Sequence, residues 1–144
     1  METKFFYSSG FSHHWSPEEL YVSTRHWLLD IAFFEREITF FQLLIDDFFV
    51  PLITIPPEEY LYDIRNQLAD LLKRKELLKH HILTHQNELS TILDKNQKEE
   101  QTKLNSIQFN LEGEFFDFIK SFRKTKQQLF TVTEIHKMTL LHKA

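Results

Sequence analysis

Glycine occupies only two of the 144 positions of this chain, Gly10 and Gly113, and proline occupies only four. An average protein has about 7 % glycine and about 5 % proline, and these residues supply most tight turns. Because a β-sandwich or β-barrel needs a turn every few residues, the chain is predicted to form a few long helices instead. Two glycines are also too few for a phosphate-binding loop of the Walker or G-x-G-x-x-G type.

The first helix is predicted over residues 17–49. Ser16 is a good N-cap, Pro17 suits the first helical position, and Glu19 completes a capping box. Apolar residues then recur at alternating steps of three and four, the heptad spacing of a coiled coil, until Pro51 ends the pattern. This core stripe consists of Trp27, Ile31, Phe34, Ile38, Phe41, Ile45 and Phe48.

Two further helices are predicted over residues 57–93 and 100–141, because the same three-and-four spacing continues in both. Residues 94–103 contain no apolar side chain and are predicted to hold the turn between them. Three long helices with two short connections predict one all-α domain over residues 16–144. It would be an up-down-up bundle of antiparallel, heptad-patterned helices, preceded by an aromatic N-terminal tail over residues 1–15.

The composition limits the classes of partner and compartment. The net charge of −4 and a pI near 6.0 argue against nucleic acid, whose partners usually carry an excess of basic residues. No stretch of 18 residues is free of charge, and the N-terminus lacks the pattern of a signal peptide. The absence of cysteine excludes disulfides and thiolate chemistry and agrees with a reducing compartment. The chain is therefore expected to be cytoplasmic, without a membrane or nucleic-acid partner.

Ionisable residues interrupt the apolar faces of all three helices. An ionisable group on a core-facing position is costly unless it is paired. The antiparallel register predicts that these residues meet in two clusters. One cluster contains His26, His81, His85 and Glu114, and the other contains Asp30, Glu37 and Lys75.

Two interpretations of these clusters remain open. In the first, the side chains form a buried polar network that fixes the register of the heptads, with Lys75 between Asp30 and Glu37. In the second, they bind a metal, because His81 and His85 lie four residues apart on one helical face. Imidazole and carboxylate ligands suit zinc, iron or manganese. The ligands would then be His26, Asp30, His81, His85 and Glu114.

The sequence contains no recognisable catalytic motif. Its serines lack the glycine-flanked elbow of a serine nucleophile, and Asp30 and Glu37 lie about 10.5 Å apart along their helix. Phenylalanine is abundant, at 15 residues, and rings outside the core stripes are expected to cover another chain or an apolar ligand. We therefore expect a non-enzymatic interaction module without a cofactor, forming a homodimer or binding a helical protein, with a metal-binding bundle as the alternative. The candidate intermolecular residues are Phe33, Phe40, Phe49, Phe116 and Phe130.

Overall fold

Three helices make up almost all of the described chain. The computed structural model describes residues 15–49, 58–95 and 98–143, with side chains over 15–47, 60–92 and 102–134. Helix α1 spans Pro17–Leu44 and continues into a π-helical turn at Ile45–Phe49. Helix α2 spans Glu58–Lys95, and helix α3 spans Lys98–Lys143. The all-α class and the three helices are thus confirmed, and no strand occurs among the described residues.

Polar contacts between the helices establish their directions. The contacts of α1 with α2 are Thr24 to Gln86 (3.3 Å), Glu35 to Lys75 (3.0 Å) and Asp46 to Arg65 (3.0 Å). Residue numbers rise along one helix as they fall along the other, so the two helices are antiparallel. Helices α2 and α3 are antiparallel as well, because Gln67 bonds Thr125 while His85 bonds Gln108. This is the up-down-up order that the sequence predicts.

Helix α2 packs closely along both of the other helices, whereas α1 and α3 approach each other at few positions. Aromatic rings fill the wider space between α1 and α3. The ring of Trp27 lies 5.7 Å from that of Phe115, and the ring of Phe34 lies 5.2 Å from that of Phe122. Large rings span a gap that aliphatic side chains would leave open.

The core stripes predicted from heptad spacing are largely buried. All ten core-stripe positions of α2 are buried: Leu61, Ile64, Leu68, Leu71, Lys75, Leu78, Ile82, His85, Leu89 and Ile92. Phe34 on α1 is half-buried. Burial therefore follows the three-and-four periodicity even where the residue is polar.

Several sequence predictions lie outside the described residues. These are the N-terminal tail before Trp15, the connection between α1 and α2, residues 96–97, and the side chains of Phe48 and Phe49. Among the described residues, no helix is both long and apolar enough to span a membrane.

The N-terminus of α1 carries the predicted capping box. The Glu19 N–H donates to Ser16 Oγ at 3.2 Å, and the Ser16 N–H donates to Glu19 Oε1 at 3.1 Å. Both groups would otherwise be orphan donors at the start of the helix.

Replacing Ser16 by alanine is expected to lower the free energy of unfolding by about 1 kcal/mol, because the variant loses the cap on the Glu19 N–H. Urea unfolding followed by circular dichroism measures the change. Ser90→Ala, at an exposed position within α2, is the matched control and should have little effect. Equal stability of the two variants would contradict the role of the cap.

Candidate functional site

The residues predicted to bind a metal are divided between separate contacts. His85 is buried and its Nε2 lies 2.5 Å from Gln108 Oε1. His81 is 40 % exposed and pairs with Glu114, itself 50 % exposed, at 3.3 Å. Four residues advance a helix by about 40° beyond a full turn, which carries His81 outward from the core line on which His85 lies. Glu114 therefore lies at the edge of the bundle and not in its core.

The other two predicted ligands lie on α1. Asp30 is buried and His26 is half-buried. Within the described ranges, no group of three or more His, Cys, Asp or Glu side chains is close enough to hold a metal ion. The structure thus does not gather the five predicted ligands into one site.

Lys75 is buried, as the sequence predicts, but it has different carboxylate partners. Its Nζ donates to Glu35 at 3.0 Å and also to Glu76. Burial lowers the pKa of Lys75, but the hydrogen bonds to Glu76 and Glu35 outweigh it, and the pKa lies above its ordinary value. The ammonium group is therefore charged and paired.

Glu37 bonds Lys126 of α3, at 3.3 Å, where the sequence predicts Lys75. The difference has two physical causes. The actual register of α1 against α2 is shifted by two residues, which brings Glu35 opposite Lys75. In addition, Glu37 lies on the flank of α1 that faces α3, so its nearest cation comes from that helix.

Two buried polar residues of α3 were missed by the sequence analysis. Gln108 is fully buried, bonds His85 through Oε1, and donates through Nε2 to the Leu20 carbonyl at 3.5 Å. Glu112, one turn further along, is only 1 % exposed. The predicted core stripe of α3 begins with Leu104, Ile107, Leu111, Phe115, Phe118 and Phe122. Because α3 contacts both other helices, it has a second buried line beside this stripe, and Gln108 and Glu112 lie on that line.

These residues belong to a buried polar layer, which consists of Ser23, Thr24, Trp27, His85, Gln108 and Glu112. Along the bundle axis, Gln108 of α3 lies level with Leu20 of α1, and Phe115 of α3 lies level with Trp27 of α1. Glu112 lies between Gln108 and Phe115, so it is level with the part of α1 between Leu20 and Trp27. Ser23 occupies the same height on α1. Four buried polar atoms of the layer have no hydrogen-bond partner in the part of the chain that the structure describes: Ser23 Oγ, Trp27 Nε1, His85 Nδ1 and Glu112 Oε1.

Burial shifts the two titratable groups of the layer toward their neutral forms. Burial raises the pKa of Glu112 from 4.5 to about 7. Burial also lowers the pKa of His85, and this effect exceeds the opposing influence of Gln108 and Glu88. Since Gln108 Oε1 can only accept, the neutral imidazole carries its proton on Nε2 and leaves Nδ1 as an unpaired acceptor.

The lowered pKa of His85 predicts a loss of stability in acid. Below the ordinary histidine pKa of 6.5, the unfolded chain binds a proton at His85 that the folded chain does not, so this group contributes a loss of stability as the pH falls. Relative to the wild type, His85→Gln, which can still donate to Gln108, is expected to gain stability as the pH falls from 6.5 to 5, and the difference between the two proteins cancels the opposing titration of Glu112. Urea unfolding over this range measures it, with exposed His80→Gln as the control. The same slope in His85→Gln and the wild type would contradict the assignment.

A second candidate site is an exposed apolar surface on α1 and α3. This α1/α3 face consists of Val22, Leu29, Phe33, Phe40 and Leu43 from α1 and Phe109, Phe116 and Phe130 from α3; these side chains are between 37 % and 67 % exposed. Several members recur at seven-residue intervals, which aligns them in an outer stripe on each helix. The exposed apolar residues of α2, by contrast, follow no common spacing: Tyr60, Tyr62, Leu77 and Leu83.

The two outer stripes border the same groove. The ring of Phe130 on α3 lies 6.2 Å from that of Phe41 on α1, which is 5.9 Å from Phe40 in the outer stripe. Lys126 extends from α3 to Glu37 and places its ammonium 5.8 Å from the Phe130 ring centre. Of the five predicted intermolecular phenylalanines, four are exposed on this face, and the side chain of Phe49 lies outside the described residues.

The comparisons with known proteins found no match: no family model, no curated protein and no solved structure is similar to this chain. What the chain does is therefore inferred from its own geometry. The described residues offer two features for that purpose, the α1/α3 face and the buried polar layer.

Proposed function

We propose that this chain is a non-enzymatic helical interaction module of the cytoplasm that pairs with a second copy of itself through the α1/α3 face. The observation that carries the proposal is the heptad spacing of exposed apolar residues on two neighbouring helices. Core stripes already use the inward heptads, so the outward repeat is not needed for folding the bundle. Exposed aromatic patches of this kind mark protein-protein contacts.

The size of the face supports a protein partner. Five phenylalanines that are about half exposed leave roughly 500 Å² of ring surface uncovered. The largest apolar patch on a typical monomer covers about 300–600 Å². The three aliphatic residues, Val22, Leu29 and Leu43, add further exposed area to that of the rings. The exposed apolar area of the whole face therefore comes near the ~800 Å² per partner of a standard interface.

The chemistry of the face favours a second copy as the partner. Each outer stripe contains an exposed arginine among its apolar residues, Arg36 on α1 and Arg123 on α3. Arginine stacks on aromatic rings, and each stripe presents rings that the arginine of another stripe can cover. A two-fold axis would place the α1 stripe of each copy on the α3 stripe of the other, so the same contact would form twice in the dimer.

Phe40→Glu is expected to weaken self-association at least about thirtyfold, because it places a charge within the apolar contact. Native mass spectrometry and sedimentation equilibrium over a concentration series measure the effect. Leu77→Glu on α2 is the matched control, since Leu77 is 58 % exposed and Phe40 is 59 % exposed. The wild type and Leu77→Glu should both form dimers.

A wild-type monomer at high micromolar concentration would contradict the proposal, as would equal weakening by Leu77→Glu. The same native spectra test the metal-binding alternative. A bound zinc, iron or manganese ion would add its mass to each chain, and His85→Ala should then remove it.

A further inference from the structure

Helices α1 and α3 run in the same direction, because each of them is antiparallel to α2. Their contacts keep a constant register along the bundle. The ring of Trp27 lies 5.7 Å from that of Phe115, and these residues differ by 88 in number. The ring of Phe34 lies 5.2 Å from that of Phe122, and the difference is again 88. Each residue of α1 is therefore level with the residue of α3 about 88 positions later in the chain.

This register places the arginines of the two outer stripes at one height. Arg36 of α1 is level with a position of α3 next to Arg123, and both side chains are exposed. Lys120 lies one turn away from Arg123 on the outer stripe of α3 and is exposed as well. The α1/α3 face therefore contains a cationic band, which consists of Arg36, Lys120 and Arg123, among its apolar residues.

The carboxylates nearest to the cationic band bond other cations. Glu35 accepts a hydrogen bond from Lys75 at 3.0 Å, and Glu37 accepts one from Lys126 at 3.3 Å. Among the described side chains, the three cations of the band take part in no ion pair. The band thus keeps its full positive charge, and compensation has to come from outside the described part of the chain.

The proposed self-association brings two cationic bands together. When two copies face each other, only a two-fold axis that runs along the helices lays the α1 stripe of each on the α3 stripe of the other. Such an axis leaves every residue at its own height, so Arg36 of each copy meets Arg123 of the other. The interface then holds four guanidinium groups at one height. Like charges gathered inside an interface are costly unless a counter-charge joins them.

The aromatic rings of the face do not supply that counter-charge. A ring can cover the flat side of a guanidinium group, but it offers no strong acceptor to the N–H donors at the edge. An oxyanion with several acceptor oxygens satisfies these donors, because it binds guanidinium edges in pairs and carries the opposite charge. Since the four groups lie between the two copies, they are closed to a membrane surface and admit a small free anion.

We propose that Arg36 and Arg123 of two copies together form a binding site for a multivalent oxyanion of the phosphate class, and that this anion stabilises the dimer. The inference rests on the function proposed above, because neither copy alone holds the complete site. An anion that binds only the dimer shifts the association equilibrium by mass action. Self-association is therefore tighter at a higher phosphate concentration.

Sedimentation equilibrium in about 1 mM and about 30 mM inorganic phosphate tests the site, with sodium chloride holding the ionic strength constant. We expect the dissociation constant of the wild-type dimer to fall about tenfold at the higher concentration. Arg36→Gln should abolish this response, and its dimer should be at least as stable as the wild type in low phosphate, because fewer like charges meet. Arg25→Gln is the matched control, since Arg25 is also exposed on α1 but is level with Gly113. It should respond to phosphate as the wild type does.

Arg36→Glu tests the pairing of the two arginine positions directly. The carboxylate of each copy would meet Arg123 of the other, so the dissociation constant in low phosphate should fall about tenfold below that of the wild type. Adding Arg123→Glu to this variant gathers like charges again and should reverse the gain.

The outcomes separate this inference from the proposed function. Dimers whose affinity is the same at both phosphate concentrations, or responds equally in Arg36→Gln, overturn the anion site and leave the dimer standing. Weaker dimers in Arg36→Glu overturn the meeting of Arg36 with Arg123, and the anion site with it. Absence of dimers in the wild type and in Arg36→Glu at both concentrations overturns the proposed function itself.

Discussion

Replacing Phe115 by alanine is expected to lower the free energy of unfolding by about 3–5 kcal/mol. Phe115 is fully buried, and its ring lies 5.7 Å from Trp27 and 6.5 Å from Phe34. It therefore fills the space between α1 and α3, whose backbones approach each other at few positions and are bridged by aromatic rings. A loss of this size is a large part of the ~5–15 kcal/mol that stabilises a typical domain.

Chemical unfolding at low protein concentration, followed by circular dichroism, measures the effect of Phe115→Ala without interference from self-association. Phe115→Leu retains most of the buried volume and should recover much of the loss. Phe109→Ala, at a half-exposed position on the same helix, should change the stability by far less. A loss below 1 kcal/mol in Phe115→Ala would show that the rings do not hold α1 and α3 together.

The fold could be predicted from the sequence because helix patterns are local. Apolar spacing and the Ser16 capping box each act within a few residues, and the structure confirms the helices they predict. The polar stretch over residues 94–103 contains the end of α2 and the start of α3, so both helices extend further into it than the sequence predicts. The register between helices follows from the lengths of the connections, and the sequence predicts it to within about one turn. That accuracy suffices to identify Lys75 and His85 as buried, since both occupy core-stripe positions.

Predicting which side chains pair requires a more accurate helix register than the sequence provides. A shift of two residues brings Glu35 opposite Lys75 and moves the predicted partner Asp30 further along α1. The other predicted partner, Glu37, is lost because it lies on the flank that faces Lys126 of α3. Whether a flanking residue faces one neighbouring helix or the other depends on the arrangement of all three helices. For this reason Glu37 pairs with Lys126 of α3, and Glu114 lies at the edge of the bundle.

The missed residues share a single cause. Describing α3 by one core stripe assigns Gln108 and Glu112 to the outside, although a helix packed against two neighbours buries a wider arc. A signal was present in the sequence, since Gln108 and Glu112 continue from Leu104 at steps of four and lead to Phe115 and Ile119. Extending the apolar pattern to a second line would have placed an acid in the core.

Glu112→Gln is expected to raise the free energy of unfolding by as much as about 3 kcal/mol at pH 8.5, and by little near pH 4.5. The sign follows from the raised pKa of the buried acid, about 7 when folded against 4.5 when unfolded. Below pH 4.5 both states hold the proton, so the group has no effect on stability. As the pH rises toward 7, the unfolded chain releases its proton first, and the wild type becomes progressively less stable relative to its neutral variant.

Urea unfolding of the wild type and of Glu112→Gln at several pH values between 4.5 and 8.5 measures this difference. Taking the difference at each pH cancels the titration of His85, which both proteins share. Glu114→Gln is the control, because that side chain is half exposed and only two residues away. A constant difference across the pH range would mean that the Glu112 carboxyl finds partners on ionisation without leaving the core, with Ser23 and Trp27 as the nearest donors by height.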